Sequence, residues 1–117
     1  MPFIHVRTNV EAPDIACELA KQRLGHAVEA LPGKSEAWLM VEIDPAAYLW
    51  FQGSYEPAAM VTVSLYGGAP EEAYDDLTSR ITEILSGIFQ IEPDRIYVQY
   101  QETPHWGWNG RNFCRFP

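Results

Sequence analysis

The chain has 117 residues, 47% of them hydrophobic, with eight basic against sixteen acidic residues and a formal net charge of −8 at pH 7. This composition excludes a disordered chain, and the acidic balance argues against nucleic acid or an anionic membrane surface as a partner. The length fits a single domain over residues 1–117 with a real core; no apolar run approaches a membrane span, and nothing resembles a signal peptide.

The chain begins Met1-Pro2-Phe3-Ile4. Loss of an initiator methionine before so small a residue would leave Pro2 as a free secondary amine, a group no side chain offers. A free α-amine titrates near neutrality, and burial lowers its pKa by disfavouring the cation, which suits a general base at pH 7. Many chains begin Met-Pro with no catalytic purpose, so the meaning of Pro2 rests on its context.

Phe3 to Val6 reads as a strand. Pro13-Asp14 opens a helix with Ile15, Leu19, Leu24, Ala27, Val28 and Leu31 on its buried face, and Gly33 stops it. Within this helix Cys17 reads as a small core residue. It stands 97 positions from Cys114, which is neither a metal nor a CxxC spacing and fits a reducing compartment. Ala37 to Ile43 is a second strand, ended by Asp44-Pro45. Tyr48, Leu49, Trp50 and Phe51, within Ala46 to Ser54, suggest a short edge strand.

The same order then returns. Met60 to Tyr66 is a strand and Gly67-Gly68-Ala69-Pro70 a turn, with Pro70 as the first helical residue and Glu71 and Glu72 in the first turn. Tyr74, Leu77, Ile81, Ile84, Leu85 and Ile88 form that helix's buried face, and Arg95 to Gln101 is a further strand. Phe3 to Val61 and Trp38 to Ile96 are both separations of 58 residues. Two β-α-β units at one offset predict an α+β two-layer sandwich with pseudo-twofold symmetry. Right-handed crossovers place both helices on one face of a four-stranded mixed sheet. His105 to Phe116 forms an aromatic tail with a turn at Asn109-Gly110.

Ala37-Trp38-Leu39-Met40-Val41 and Ala58-Ala59-Met60-Val61 are apolar at both parities. A sheet covered on one face only should alternate, so these runs predict a second buried face and hence an oligomer. The alternative cover is the C-terminal tail.

Several short motifs stand along the chain: Pro2-Phe3-Ile4 with Thr8-Asn9-Val10, Gly33-Lys34, Gly53-Ser54 with Glu56-Pro57, Pro93-Asp94-Arg95-Ile96-Tyr97 and Gly107-Trp108-Asn109. As a set, over nearly the whole length, they resemble the macrophage migration inhibitory factor and D-dopachrome tautomerase family of the tautomerase superfamily. The resemblance implies a homotrimer of β-α-β repeats whose sheets line a central channel. It also implies that Pro2 is the catalytic base and that Lys34 binds a substrate carboxylate; without it, Lys34 could merely complement a helix dipole. Tyr66 stands at a position whose backbone N–H meets substrate, Tyr97 matches a tyrosine from a neighbouring subunit, and Gln99 replaces a usual asparagine. Trp106 replaces a small valine, while Trp108 and Phe113 keep the family's aromatic character. For each tail aromatic the alternative is core packing.

The implied activity is keto–enol tautomerisation of a small aromatic α-keto acid of the phenylpyruvate or dopachrome type, conditional on removal of Met1, with no metal and no cofactor. The rival reading is a cytokine-like secreted binding protein with a vestigial pocket, whose further partner is a receptor protein. The expected location is the cytoplasm, with export by a signal-peptide-independent route under the second reading. Dehalogenation or decarboxylation ranks last, because Arg7 and Glu11 do not supply the arginines and carboxylate such relatives add. Ala58 and Val61 stand where one family member has a CxxC, so no thiol-disulfide oxidoreductase activity is expected. His5, His26 and His105 match no catalytic position, and Gly67-Gly68 lacks the wider pattern of a phosphate-binding loop.

Overall fold

The computed structural model describes residues 1–113, so Cys114 and Phe116 lie outside the described residues. Strand β1 (Pro2–Thr8), helix α1 (Asp14–Ala27) and strand β2 (Met40–Asp44) form the first unit, and β3 (Ala59–Tyr66), α2 (Glu71–Phe89) and β4 (Ile96–Thr103) the second. The sheet order is β2-β1-β3-β4. Each unit is internally parallel, and the two meet antiparallel at β1 and β3. This is the two-layer sandwich with the pseudo-twofold expected from the repeat. A hairpin follows, β5 (Gly107–Trp108) with β6 (Arg111–Asn112). Its turn residues Asn109 and Gly110 both have positive φ, as a tight two-residue hairpin requires.

The core lies between the sheet and the helices. Ile4 and Val6 of β1, Val61, Val63 and Leu65 of β3, Leu24 of α1, and Leu77, Ile81 and Leu85 of α2 are all fully buried. Each such side chain contributes about 1.5–3 kcal/mol relative to exposure. Gln90, in the left-handed conformation, ends α2. The helix side of the sheet also holds Tyr100, whose hydroxyl donates to the Tyr74 carbonyl at 3.1 Å and pairs with Thr78 Oγ1 at 2.7 Å. Burial, with a hydrogen bond to Glu102, pushes the Tyr74 phenol up to about 12. Burial raises Tyr100 too, so both phenols are structural donors rather than acids.

Several expectations are corrected. Ile15 and Leu19 are 76% and 38% exposed; the stripe that packs is Cys17, Ala20, Leu24, Ala27, Val28 and Leu31, about 150° around the helix axis from them. The α-helix also stops at Ala27, and Val28–Ala30 tightens to a 3₁₀ turn. Pro70 is extended (ψ 152°) and caps α2 from outside. Residues 46–54 form no strand. Phe51 and Ser54 instead close a tight turn through Gln52 and Gly53, both at positive φ.

The doubly apolar runs are not doubly buried strands in the structure. Glu36–Trp38 is a 3₁₀ turn before β2, and Ala58 precedes β3. Within β1 and β3 burial alternates, the helix side buried and the other side open. The register sets Met40, Glu42 and Asp44, Phe3, His5 and Arg7, Met60, Thr62 and Ser64, and Tyr97, Gln99 and Gln101 on that open face. It is largely polar, so the apolar argument for an oligomer does not stand.

Asn9 and Arg95, carried by two of the short motifs, hold the loop between the units. Asn9 Nδ2 donates to the carbonyls of Leu49, Tyr55 and Glu56 at 2.9, 3.2 and 2.9 Å, and Asn9 Oδ1 accepts from Ala58 N–H at 2.9 Å. Arg95 donates to the carbonyls of Ser54, Glu56 and Pro57 and lies 5.2 Å from the Phe51 ring centroid. These motif residues have architectural roles in the structure.

Candidate active site at one end of the sheet

Because β1 and β3 run antiparallel, the start of β1 and the end of β3 share one end of the sheet: Pro2 is level with Leu65, and Tyr66 follows. The parallel pairing of β1 with β2 brings Met40, and the turn before it, to the same end. Lys34 arrives by a turn. The sequence Leu31-Pro32-Gly33-Lys34 closes with Lys34 N–H donating to the Leu31 carbonyl at 3.0 Å. Gly33 has φ +77°, the type II geometry that Pro-Gly favours.

Three groups converge there. Lys34 Nζ donates to the Tyr66 carbonyl at 3.3 Å, and the Tyr66 N–H makes a long 3.4 Å contact with the Met1 carbonyl. Burial, and then the Lys34 ammonium beside it, lower the terminal amine of Met1 to about 6. Pro2 is itself buried. Its nitrogen is a tertiary amide while Met1 is attached, with no basic lone pair.

An aromatic wall flanks these groups. Tyr66 and Phe113 have ring centroids 5.6 Å apart, Phe113 stacks on Trp108 at 6.2 Å, and Trp108 meets Trp38 edge-on at 5.0 Å. The Tyr66 hydroxyl is buried with no partner among the described residues. Trp106 joins through its backbone, its carbonyl accepting from Phe113 N–H at 2.9 Å. The sequence reading missed Trp38 by assigning it to a strand core. Its position four residues after Lys34, in a run too long to alternate, was the available signal.

Tyr97 and Gln99 do not join this group. Leu65 is level with Glu102, whereas Tyr97 is level with Met60 and Arg7, at the other end of the sheet. Five residues of strand separate the two levels, about 17 Å. Tyr97 is 60% exposed and meets Phe51 edge-on at 5.0 Å. Cys17 forms no disulfide among the described residues; it is partly buried, and its thiol is raised by burial and by Asp14, which opposes thiolate reactivity. No helix among the described residues is long and apolar enough to cross a membrane.

Residues 1–114 match the family model described as macrophage migration inhibitory factor. The macrophage migration inhibitory factor of Meriones unguiculatus is 30% identical, over 97% of this chain and 100% of its own. The D-dopachrome decarboxylase of Bos taurus is also 30% identical, over 91% of this chain and 90% of its own. Among solved structures, Leishmania major MIF2 superposes with a TM-score of 0.90 at 33% identity, covering 97% of each chain.

Proposed function

The chain belongs to the macrophage migration inhibitory factor family, and we propose that it is a keto–enol tautomerase of aryl α-keto acids such as phenylpyruvate. The carrying observation is the convergence of the terminal amine, the Lys34 ammonium and the Tyr66 N–H at one end of the sheet. The Met1 carbonyl, now the acceptor for the Tyr66 N–H, stands in for a substrate oxygen. Removal of Met1 frees that donor and turns Pro2 into the terminal amine, where burial and Lys34 would act on it in turn.

In the proposed reaction neutral Pro2 takes the proton from the carbon beside the keto group. Lys34 holds the carboxylate, and the Tyr66 N–H stabilises the oxygen that becomes the enolate. The prolinium then returns the proton to complete the tautomerisation. Trp108, Phe113 and the rim at Trp106 supply the apolar wall for the substrate ring.

Tyr97 and Gln99 enter this site only from another copy, given their distance along the sheet. We read residues 1–117 as one domain that assembles as a homotrimer, each site completed by a neighbour. Two sheet edges unpaired among the described residues and the exposed Tyr48, Trp50 and Tyr55 support contact between copies. The proposed location is the cytoplasm, with signal-peptide-independent export as a further step.

The test is phenylpyruvate turnover by the Met1-trimmed protein, its Pro2→Gly variant and a Met1-retained form. The trimmed protein should turn over substrate, and the other two should lose most of that activity; full activity in Pro2→Gly would sink the assignment. The Tyr66 ring against Phe113, with its hydroxyl buried, favours a second reading: a narrowed pocket in a cytokine-like binding protein. Near-zero turnover by a trimmed trimer would support that one. Carbon dioxide release from D-dopachrome, measured in parallel, distinguishes decarboxylation from isomerisation.

A further inference from the structure

On the open face of the sheet, away from the Pro2 end, His5 of β1 is level with Glu42 of β2, and Asp44 follows two residues on. Strand spacing of about 4.8 Å and an i, i+2 step of about 6.7 Å put three side chains over one small triangle. His5 Nε2 lies 2.7 Å from Asp44 Oδ2 and 4.0 Å from Glu42 Oε1, and all three donor atoms fall within 4.8 Å of one another. From these positions we propose a divalent-metal site, with His5, Glu42 and Asp44 as ligands and Zn²⁺ as the best-fitting ion.

Ligand atoms around tetrahedral zinc stand about 3.4 Å apart. The observed 2.7 and 4.0 Å separations from Nε2 bracket that value; the shorter one is a hydrogen bond between His5 and Asp44, which the ion would replace. One imidazole nitrogen and two carboxylates form a donor set that suits a first-row divalent ion better than an all-oxygen ion such as Mg²⁺. Water would take the fourth position.

The frame is fixed before the ion arrives. Phe3 stacks on the His5 ring at 5.9 Å and 18°. The chain after Asp44 is tied to the end of β1, Ala46 N–H donating to the Val10 carbonyl and Ala47 N–H to the Thr8 carbonyl, both at 2.9 Å. Charge points the same way. Two carboxylates converge on one imidazole, which can neutralise at most one of them. Arg7, level with Asp44 on the same face, forms no ion pair among the described residues. Thr62, beside His5 on β3, is uncharged. The three ligands lie 37 and 39 residues apart along the chain, and only the parallel register unites them.

The experiment titrates the chelator-stripped, full-length protein with Zn²⁺ by calorimetry and with Co²⁺ by visible absorption, comparing it with His5→Gln, Glu42→Gln and Asp44→Asn. Circular dichroism first confirms that each variant is folded. One ion should bind per chain, with affinity reduced about 10-fold or more in each variant. The His5 imidazole resonances should shift on zinc addition, while those of His26 and His105 stay in place. Absence of binding at millimolar Zn²⁺, or equal affinity in folded variants and wild type, would overturn the site. The readout involves neither Pro2 nor phenylpyruvate turnover, so it stands or falls apart from the proposed reaction.

Discussion

Replacing Lys34 with methionine removes a charge while keeping most of the side chain's length and bulk. The Lys34 ammonium lies 3.3 Å from the Tyr66 carbonyl and beside the terminal amine, whose pKa it helps to lower. Two effects follow from the proposed mechanism. A substrate carboxylate loses a charge-assisted hydrogen bond worth about 1.5–3 kcal/mol. At about 1.36 kcal/mol per decade, that is roughly a 10- to 150-fold fall in kcat/KM. That shift belongs to the Met1 amine, where burial is the larger cause; in the proposed mechanism the Pro2 amine takes its place after trimming and in the variant loses the cation that disfavours its protonated form. Its pKa therefore rises toward the ordinary range. Because the base acts when neutral, the acidic limb of the kcat/KM profile moves to higher pH. The assay is phenylpyruvate enolisation followed by absorbance across pH, on protein whose Met1 removal is confirmed by mass. A kcat/KM within about threefold of wild type, with an acidic limb that stays or moves down, would refute the role of Lys34.

Asn9→Ala should cost about 2–4 kcal/mol in urea denaturation, because it strands the buried Ala58 N–H and releases the loop carbonyls. A loss under about 1 kcal/mol would mean the loop is held by other contacts. Co-expression of Pro2→Gly with Tyr97→Ala subunits should restore about a quarter of wild-type turnover, the random share of sites with both residues intact in a closed ring. Activity no higher than the parents' average would place Tyr97 outside the site. Insulin reduction by the purified protein should be undetectable, given Ala58 and Val61; measurable reduction would contradict this.

The repeat was readable because its cues are local: strand runs, helix openers such as Pro13 and Pro70, and the constant offset. What misled was the apolar run from Ala37 to Val41. Composition cannot show that Glu36–Trp38 coils into a turn, because tertiary contacts such as that of Trp38 with Trp108 select that conformation. Ile15 and Leu19 misled in the same way, being apolar on a helix flank that the chain alone leaves exposed. Pro2 was legible from its own chemistry, while Lys34, Tyr66, Trp108 and Phe113 were named from the resemblance; the antiparallel β1–β3 pairing brings Pro2 beside Tyr66, a turn brings Lys34, and ring contacts add Phe113 and Trp108. Asn9 and Arg95 were legible only as motif residues; their hydrogen bonds to distant carbonyls carry no sequence signature. His5, Glu42 and Asp44 were invisible as a group, since register alone brings them together.

The central claim is that Pro2, once exposed, is the reacting base. Intact mass spectrometry before and after treatment with a proline-directed alkylating reagent, read beside phenylpyruvate turnover, tests it most directly. The account predicts a protein lacking Met1 that gains a single adduct on Pro2 and loses turnover in proportion to labelling. Full turnover after complete labelling of Pro2, or equal turnover by protein that retains Met1, would contradict it.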